Sequence, residues 1–345
     1  MDVVKPSRFF GKAKTCDILR SLAYHNQDFD DTVVSIPTNR PRVTQTPCTN
    51  TCATLGDFDS LPLELFNEIL CCSDLHTVST FRWLNRRARV LVESSFPYKH
   101  ILLNAPDVLA ALEKTGIASH FSVDDVFRAL STPSCHVCSK FGTYLWIPEC
   151  VRCCYPCMRE APELMPMSKS DAMAAFGLTK SGLRGLPIMA ALPGWYGLYP
   201  HPYRKRRYFL SQERARQAAI DIHGEEELAR YVNHGTSKAK IAYYQRVAVR
   251  DATDVPVEDG TPVGTKDHPT RFMTVVPLPY FDPSSRITHI GLSCEGCKFR
   301  MPRGSSEQQI ATHVRLRGQT YTTKGIFEHF KRCPYARELW RPHRR

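Results

Sequence analysis

Six cysteines fall within 23 residues, at Cys135, Cys138, Cys150, Cys153, Cys154 and Cys157, and three more stand at Cys294, Cys297 and Cys333. No other feature of the 345-residue chain restricts its folding as strongly. Thiols this dense fold around disulfides or around metal. A disulfide scaffold is normally shorter and carries a signal peptide, whereas residues 1–8 hold no apolar stretch of that kind. No window reaches the roughly 18 apolar residues of a membrane span. The expectation is an intracellular protein, in cytoplasm or nucleus, that binds metal through thiolates.

Two ligand sets follow from the spacing. Cys135 and Cys138 form one CxxC pair, and Cys154 and Cys157 form another after 15 intervening residues. Two such turns place four thiolates around zinc, with a short hairpin over 143–147 between them. Cys150 and Cys153 are also spaced as CxxC and offer a second solution. Near the C-terminus, Cys294 and Cys297 are followed, after 31 intervening residues, by His329 and Cys333. That last pair is spaced four apart, so on a helix both side chains leave one face. His313, in the intervening stretch, competes as a ligand. Two structural zinc ions are the expected cofactors.

Residues 1–56 read as a disordered N-terminal tail, because 32–54 is rich in Thr, Pro and Asn and poor in groups that bury surface. Cys48 and Cys52 lie there and take no metal role. Helical spacing begins at Leu61, Leu65, Ile69 and Leu70, with Pro62 suited to a first turn. Further helices are expected near Val78 and Ala88, at 106–115 and at 122–130, where Ser122 and Asp125 resemble a capping box. Helices are also expected at 211–223, 225–233 and 236–250. Residues 251–270 read as a linker. A hairpin of 272–277 with 287–292 should lead into Cys294, and a helix should follow Thr323. These readings divide the chain into 57–100, 101–250 with the first metal site, and a zinc-finger-like 271–345.

Leu61, Pro62, Glu64, Leu65, Ile69, Leu70 and Val78, followed by 81–89, resemble an F-box, departing from it at Ala88 where many carry a large aromatic. That resemblance implies a module docking on a Skp-type adaptor, and through it on a cullin that carries a ubiquitin-conjugating enzyme. Physics agrees, since a unit of about forty residues rarely buries its own apolar surface, and an i, i+4 apolar pair suits a partner groove. The chain as a whole is similar to a family of fungal F-box proteins at 81–89, 104–107, 116–121, 152–157, 192–195 and 327–333. The resemblance implies a substrate receptor of a ubiquitin ligase, and it favours Cys154 and Cys157 as ligands because the family's second pair follows an Arg, here Arg152. The fold class expected is mainly α with small β-hairpins: a helical F-box, then an irregular α+β zinc-stabilised domain that binds a protein target.

Enzyme motifs are missing. No CxxC precedes a His, no HExxH occurs, and 177–181 lacks the glycines of a phosphate loop. A RING-type ligase interleaves its ligands in a short span, but here the clusters stand 136 residues apart. The protein is expected to be non-enzymatic. The alternative expectation is zinc-dependent nucleic-acid binding. Lys plus Arg exceed Asp plus Glu by 12, a balance that suits polyanionic partners. Residues 168–186 are similar to the segment after the zinc ribbon of the xeroderma pigmentosum group A repair family, departing from it at Ala174 and Ala175. Arg204, Lys205, Arg206 and Arg207 beside Tyr203, Tyr208 and Phe209 form a candidate basic patch of the kind single-strand binders use.

Overall fold

Short amphipathic segments become short helices here, most of them started by a polar cap. The structure, a computed structural model, describes residues 10, 13–26, 30–34, 36, 54–197, 201–234, 237–252, 268–299 and 306–340. In chain order these form α1 Thr15–Leu22 and β1 Ala23–Tyr24, then α2 Leu63–Cys72, α3 Leu75–Arg82, α4 Arg86–Ser94, α5 Phe96–Asn104, α6 Pro106–Lys114 and α7 Val123–Ser131. The middle of the chain supplies β2 Tyr144–Trp146, β3 Val151–Cys153, α8 Tyr155–Glu160, β4 Pro166–Ser168, α9 Lys169–Phe176, β5 Met189–Ala190, β6 Gly194–Tyr196, β7 His201–Tyr203 and β8 Tyr208–Ser211. Then come α10 Gln212–His223, α11 Glu225–His234, α12 Lys238–Ala252, α13 Pro269–Phe272, β9 Val275–Pro277, β10 Tyr280–Asp282 and β11 Ile287–His289. The last elements are β12 Ser293–Cys294, α14 Glu295–Phe299, α15 Glu307–Arg317, α16 Thr323–Arg332 and α17 Pro334–Trp340. The fold is mainly helical with small antiparallel sheets, as expected.

Caps explain where several helices begin. Ser122 and Asp125 form the reciprocal capping box that the sequence suggested, which satisfies two backbone donors that would otherwise lack partners. Asp74 caps α3 through Thr77 N–H, and Asn85 caps α4 through Ala88 N–H. Buried Arg82 donates twice to Glu93 across the α3–α4 pair, and Arg89 joins the same carboxylate.

The apolar side chains gather into three cores. The largest takes Phe66, Leu70, Val78 and Val92 from the first helices together with Leu145, Cys153, Val275 and Phe281. Residues on both sides of position 100 therefore share one interior. Its sheet runs β3–β2–β9, all antiparallel. A second core joins Ile18 and Leu22 to Phe327, Phe330 and Trp340. The third packs α9 to α11 against β8.

Three expectations change. The N-terminal 56 residues are not uniformly unstructured: α1 is buried along Ile18 and Leu22, β1 pairs with β12, and Val33, Val34 and Ile36 enter the main core. The hairpin expected from 272–277 with 287–292 does not form. Val275 and Val276 pair with β2, where both strand faces are covered, and β11 pairs with β10 instead. The linker is narrower than 251–270, since α12 runs to Ala252 and α13 starts at Pro269. Cys48, Cys52, the rest of the linker and the basic C-terminal end lie outside the described residues. Among the described residues, no helix is long and apolar enough to cross a membrane.

Candidate metal centres and an unpartnered helix face

The two clusters share one local design. Cys154 leaves β3 and is the residue before α8, with Cys157 in that helix's first turn. Cys294 likewise ends β12 immediately before α14, which carries Cys297. A residue just before a helix and one three positions on lie on the same side, so each CxxC presents two thiols together. The partners differ. Cys135 and Cys138 sit in a tight turn, in which Ser139 N–H donates to Cys135 O at 2.9 Å and Ser139 takes φ 56°. His329 and Cys333 come from the last turn of α16 and its end, where Cys333 N–H donates to His329 O.

Cys135, Cys138, Cys154 and Cys157 bring their Sγ atoms within 4.8 Å of one another, and so do Cys294, Cys297, Cys333 and the His329 ring nitrogen. Cys138 and Cys154 are 3.6 Å apart; Cys297 is 3.7 Å from Cys333 and 3.4 Å from His329 Nε2, and Cys294 is 4.0 Å from Cys333. Tetrahedral coordination with metal–sulfur bonds near 2.3 Å requires sulfurs about 3.8 Å apart. Both groups can hold a metal ion.

Their electrostatics point the same way. Hydrogen bonds from Cys154 and Cys157 pull Cys135 far below the usual thiol range, while its contact with Cys135 drives Cys154 far above it. Cys157, facing the same sulfur, is pushed up to about 12. In the second group, bonds from Cys294 and Cys297 hold Cys333 low and those with Cys294 and Cys333 push Cys297 far up. In each group one thiol is pulled down while its neighbours are pushed up, a conflict that a divalent cation would remove.

The surroundings orient the ligands. Tyr321 stacks on His329 and its hydroxyl lies 3.1 Å from Nδ1, which leaves Nε2 for the sulfurs' side. Gly296, inside the second CxxC, lies so close to α17 that a Cβ would meet Ala336 N at 2.5 Å. Buried Arg152 donates to the carbonyls of Ala129, Leu130, Gly142, Leu278 and Pro279, and burial draws its pKa down to about 9. It ties α7, the loop before β2 and the stretch after β9 around the first cluster. Its structural part was not legible, because the five acceptors are backbone atoms spread from 129 to 279.

The alternative ligands stay outside the groups. Cys150 is a left-handed residue before β3 and Cys153 is its last residue; both are buried, and burial pushes both thiols up. Cys153 ends an extended strand and is not one of the four converging thiols, although Cys135, Cys157 and Cys138 lie near enough to add to the upward push on it. His313, half-buried in α15, is also apart from the second group.

The residues expected to meet an adaptor divide by burial. Leu65 and Ile69 are 49% and 44% exposed and, with exposed Cys72, form an i, i+4, i+7 row on α2. Pro62 and Glu64 are exposed and Leu61 is half-buried. Leu70 and Val78, expected at the same contact, are instead core residues: Leu70 lies one turn after buried Phe66 on α2, and both join the main core together with Val78 and Val92. Phe58, Leu63, Trp83 and Leu84 are further exposed apolar groups in this part of the chain; Leu63 and Cys72 were not singled out by sequence, although Cys72 extends the same period. Arg204, Lys205, Arg206 and Arg207 are all exposed. No family model, curated protein or solved structure matches the chain.

Proposed function

We propose that this protein is a non-catalytic substrate receptor of a cullin-based ubiquitin ligase, with residues 57–100 acting as an F-box on a Skp-type adaptor. The observation that carries the reading is the α2 face. Leu65, Ile69 and Cys72 stand in solvent on a different side of the helix from buried Phe66 and Leu70, so α2 is apolar on two sides and, among the described residues, only one is covered. An amphipathic helix that keeps a second apolar row exposed suits a partner's groove. The remainder of the chain then presents the target-binding surface, and its contribution to chemistry is proximity, which raises the local concentration of target lysines near the conjugating enzyme.

The same reading assigns zinc to both clusters. Four thiolates in one group, and three thiolates with an imidazole in the other, are soft donors in tetrahedral spacing and suit zinc; four protein ligands leave no open position for catalysis. Here zinc would supply cross-linking between segments distant in sequence. Purification of the full chain with a Skp-type adaptor tests the proposal. The wild type should co-purify with adaptor and carry two zinc ions per chain. A Leu61, Pro62 and Leu65 triple alanine variant that recovers adaptor at the wild-type level would sink the receptor reading.

A further inference from the structure

We propose that the ribbon formed by residues 189–196 and 201–209 is a binding site for single-stranded nucleic acid. The proposal stands apart from the adaptor reading and rests on how the ribbon displays the basic run.

Two paired stretches share these strands. Met189 and Ala190 pair with Phe209 and Tyr208, and Ala191 N–H donates to Arg207 O at 2.8 Å. Farther along, Gly194, Trp195 and Tyr196 pair with Tyr203, Pro202 and His201. Between the stretches, Leu192 and Pro193 oppose Arg204, Lys205 and Arg206, two residues against three. Pro193 has no N–H to give the ladder, and an extra residue in one strand bends it outward. The basic run therefore occupies an interruption of the ladder and stands in solvent.

The charge is also free. Arg204, Lys205, Arg206 and Arg207 form no ion pair among the described residues, whereas Arg87, Arg128 and Arg214 on other elements each have a carboxylate partner. Aromatic planes flank the run on both sides. Trp195 is 61% exposed and Tyr208 is 52% exposed. Between them Arg207 lies over the Tyr203 ring at 5.0 Å, which shows that a guanidinium and a ring already associate here. Among the described residues nothing covers these exposed indole and phenol rings, and a carboxylate peptide would need only the charges. Unstacked bases use both: phosphates meet the guanidinium and ammonium groups while bases stack on the rings.

The test is binding of fluorescein-labelled oligo-dT and oligo-U to the zinc-loaded full chain, with duplex DNA and polyglutamate as comparisons, at several salt concentrations. Both single strands should bind at low salt, more tightly than duplex or polyglutamate, with affinity falling steeply as salt rises. Alanine at Arg204, Lys205 and Arg206 together should flatten the log–log salt slope by about two, given roughly 0.7 per phosphate contact. Trp195→Ala should weaken binding on the order of tenfold with an unchanged slope, and Trp195→Phe should restore most of it. Zinc content of each variant checks that it is folded. Absent binding at low salt, polyglutamate binding as tightly as oligo-dT, or affinity untouched by both sets of substitutions would each overturn the proposal.

Discussion

At the scale of single residues, position within an element decides which cysteines converge into a group that could hold a metal ion. Cys154 precedes a helix and Cys157 sits one turn on, while Cys150 precedes strand β3 and Cys153 is its last residue. The sequence spacing of the two pairs is identical, so spacing alone left the choice open; it needed the β3–α8 boundary. Cys154→Ser should therefore reduce bound metal from two ions per chain to one, and Cys150→Ser should leave two, as read by metal analysis of the purified chain. Asp30 gives a second residue-level outcome. Burial pushes its pKa up from 3.8 to about 6, against the Tyr144 hydroxyl, which donates to Oδ1 and lowers it. A carboxyl with a raised folded pKa stabilises the fold most below pH 3.8, and that contribution is lost as pH rises through about 6. Asp30→Asn should thus gain stability relative to wild type progressively between those two values, then hold a constant advantage. Denaturant unfolding of both proteins across that window measures it, since any acid-induced metal loss is shared and cancels in the difference.

At the scale of elements, helices with caps were readable and strand partners were not. Ser122, Ser211 and Thr322 each cap the helix that the periodicity suggested. By contrast, Val275 and Val276 are a short apolar run that suits any covered strand, and nothing in their own sequence names β2 as neighbour. The α2 helix was legible as helix but its two apolar sides were not separable, because which side faces the core depends on α3 and α4. That separation yields a contrast. Leu70→Ala removes a buried side chain and should cost about 2–4 kcal/mol of stability, lowering the unfolding midpoint. Leu65→Asp changes an exposed site, so the midpoint should stay near wild type while adaptor recovery is abolished, since the adaptor groove would have to bury an unpaired carboxylate. A Leu65→Asp chain that unfolds early would mean that α2 is covered within this molecule.

At the scale of the whole molecule, segments from near the two ends of the chain pack together beside the second candidate metal centre. Phe10 meets Phe327, Phe330 and Trp340 edge-on, at 6.3, 6.3 and 5.7 Å between centroids. Ile18 and Leu22 are buried in the same core, and Ala23 pairs directly with the ligand Cys294. None of this was visible in sequence, because α1 is short, its stripe has few apolar residues, and its partners lie some 270 or more residues away. Full burial of side chains of this kind contributes about 1.5–3 kcal/mol each, so the three together supply roughly 5–9 kcal/mol, an upper figure because the unfolded chain is already partly collapsed. Metal binding at Cys294, Cys297, His329 and Cys333 draws on that same folding energy, since the ligands converge only when β12, α14 and α16 are in place. The first cluster does not depend on it, because its core takes nothing from α1. Removal of residues 1–24 should therefore leave one ion held as in the full chain and release the second at least about tenfold more readily to a competing chelator. Protease should then cut within α16 and α17 while the region from α2 to β9 stays intact. Two ions retained with unchanged affinity, and an uncut C-terminal end, would mean that the metal alone holds that end together and that the N-terminal segment merely covers it.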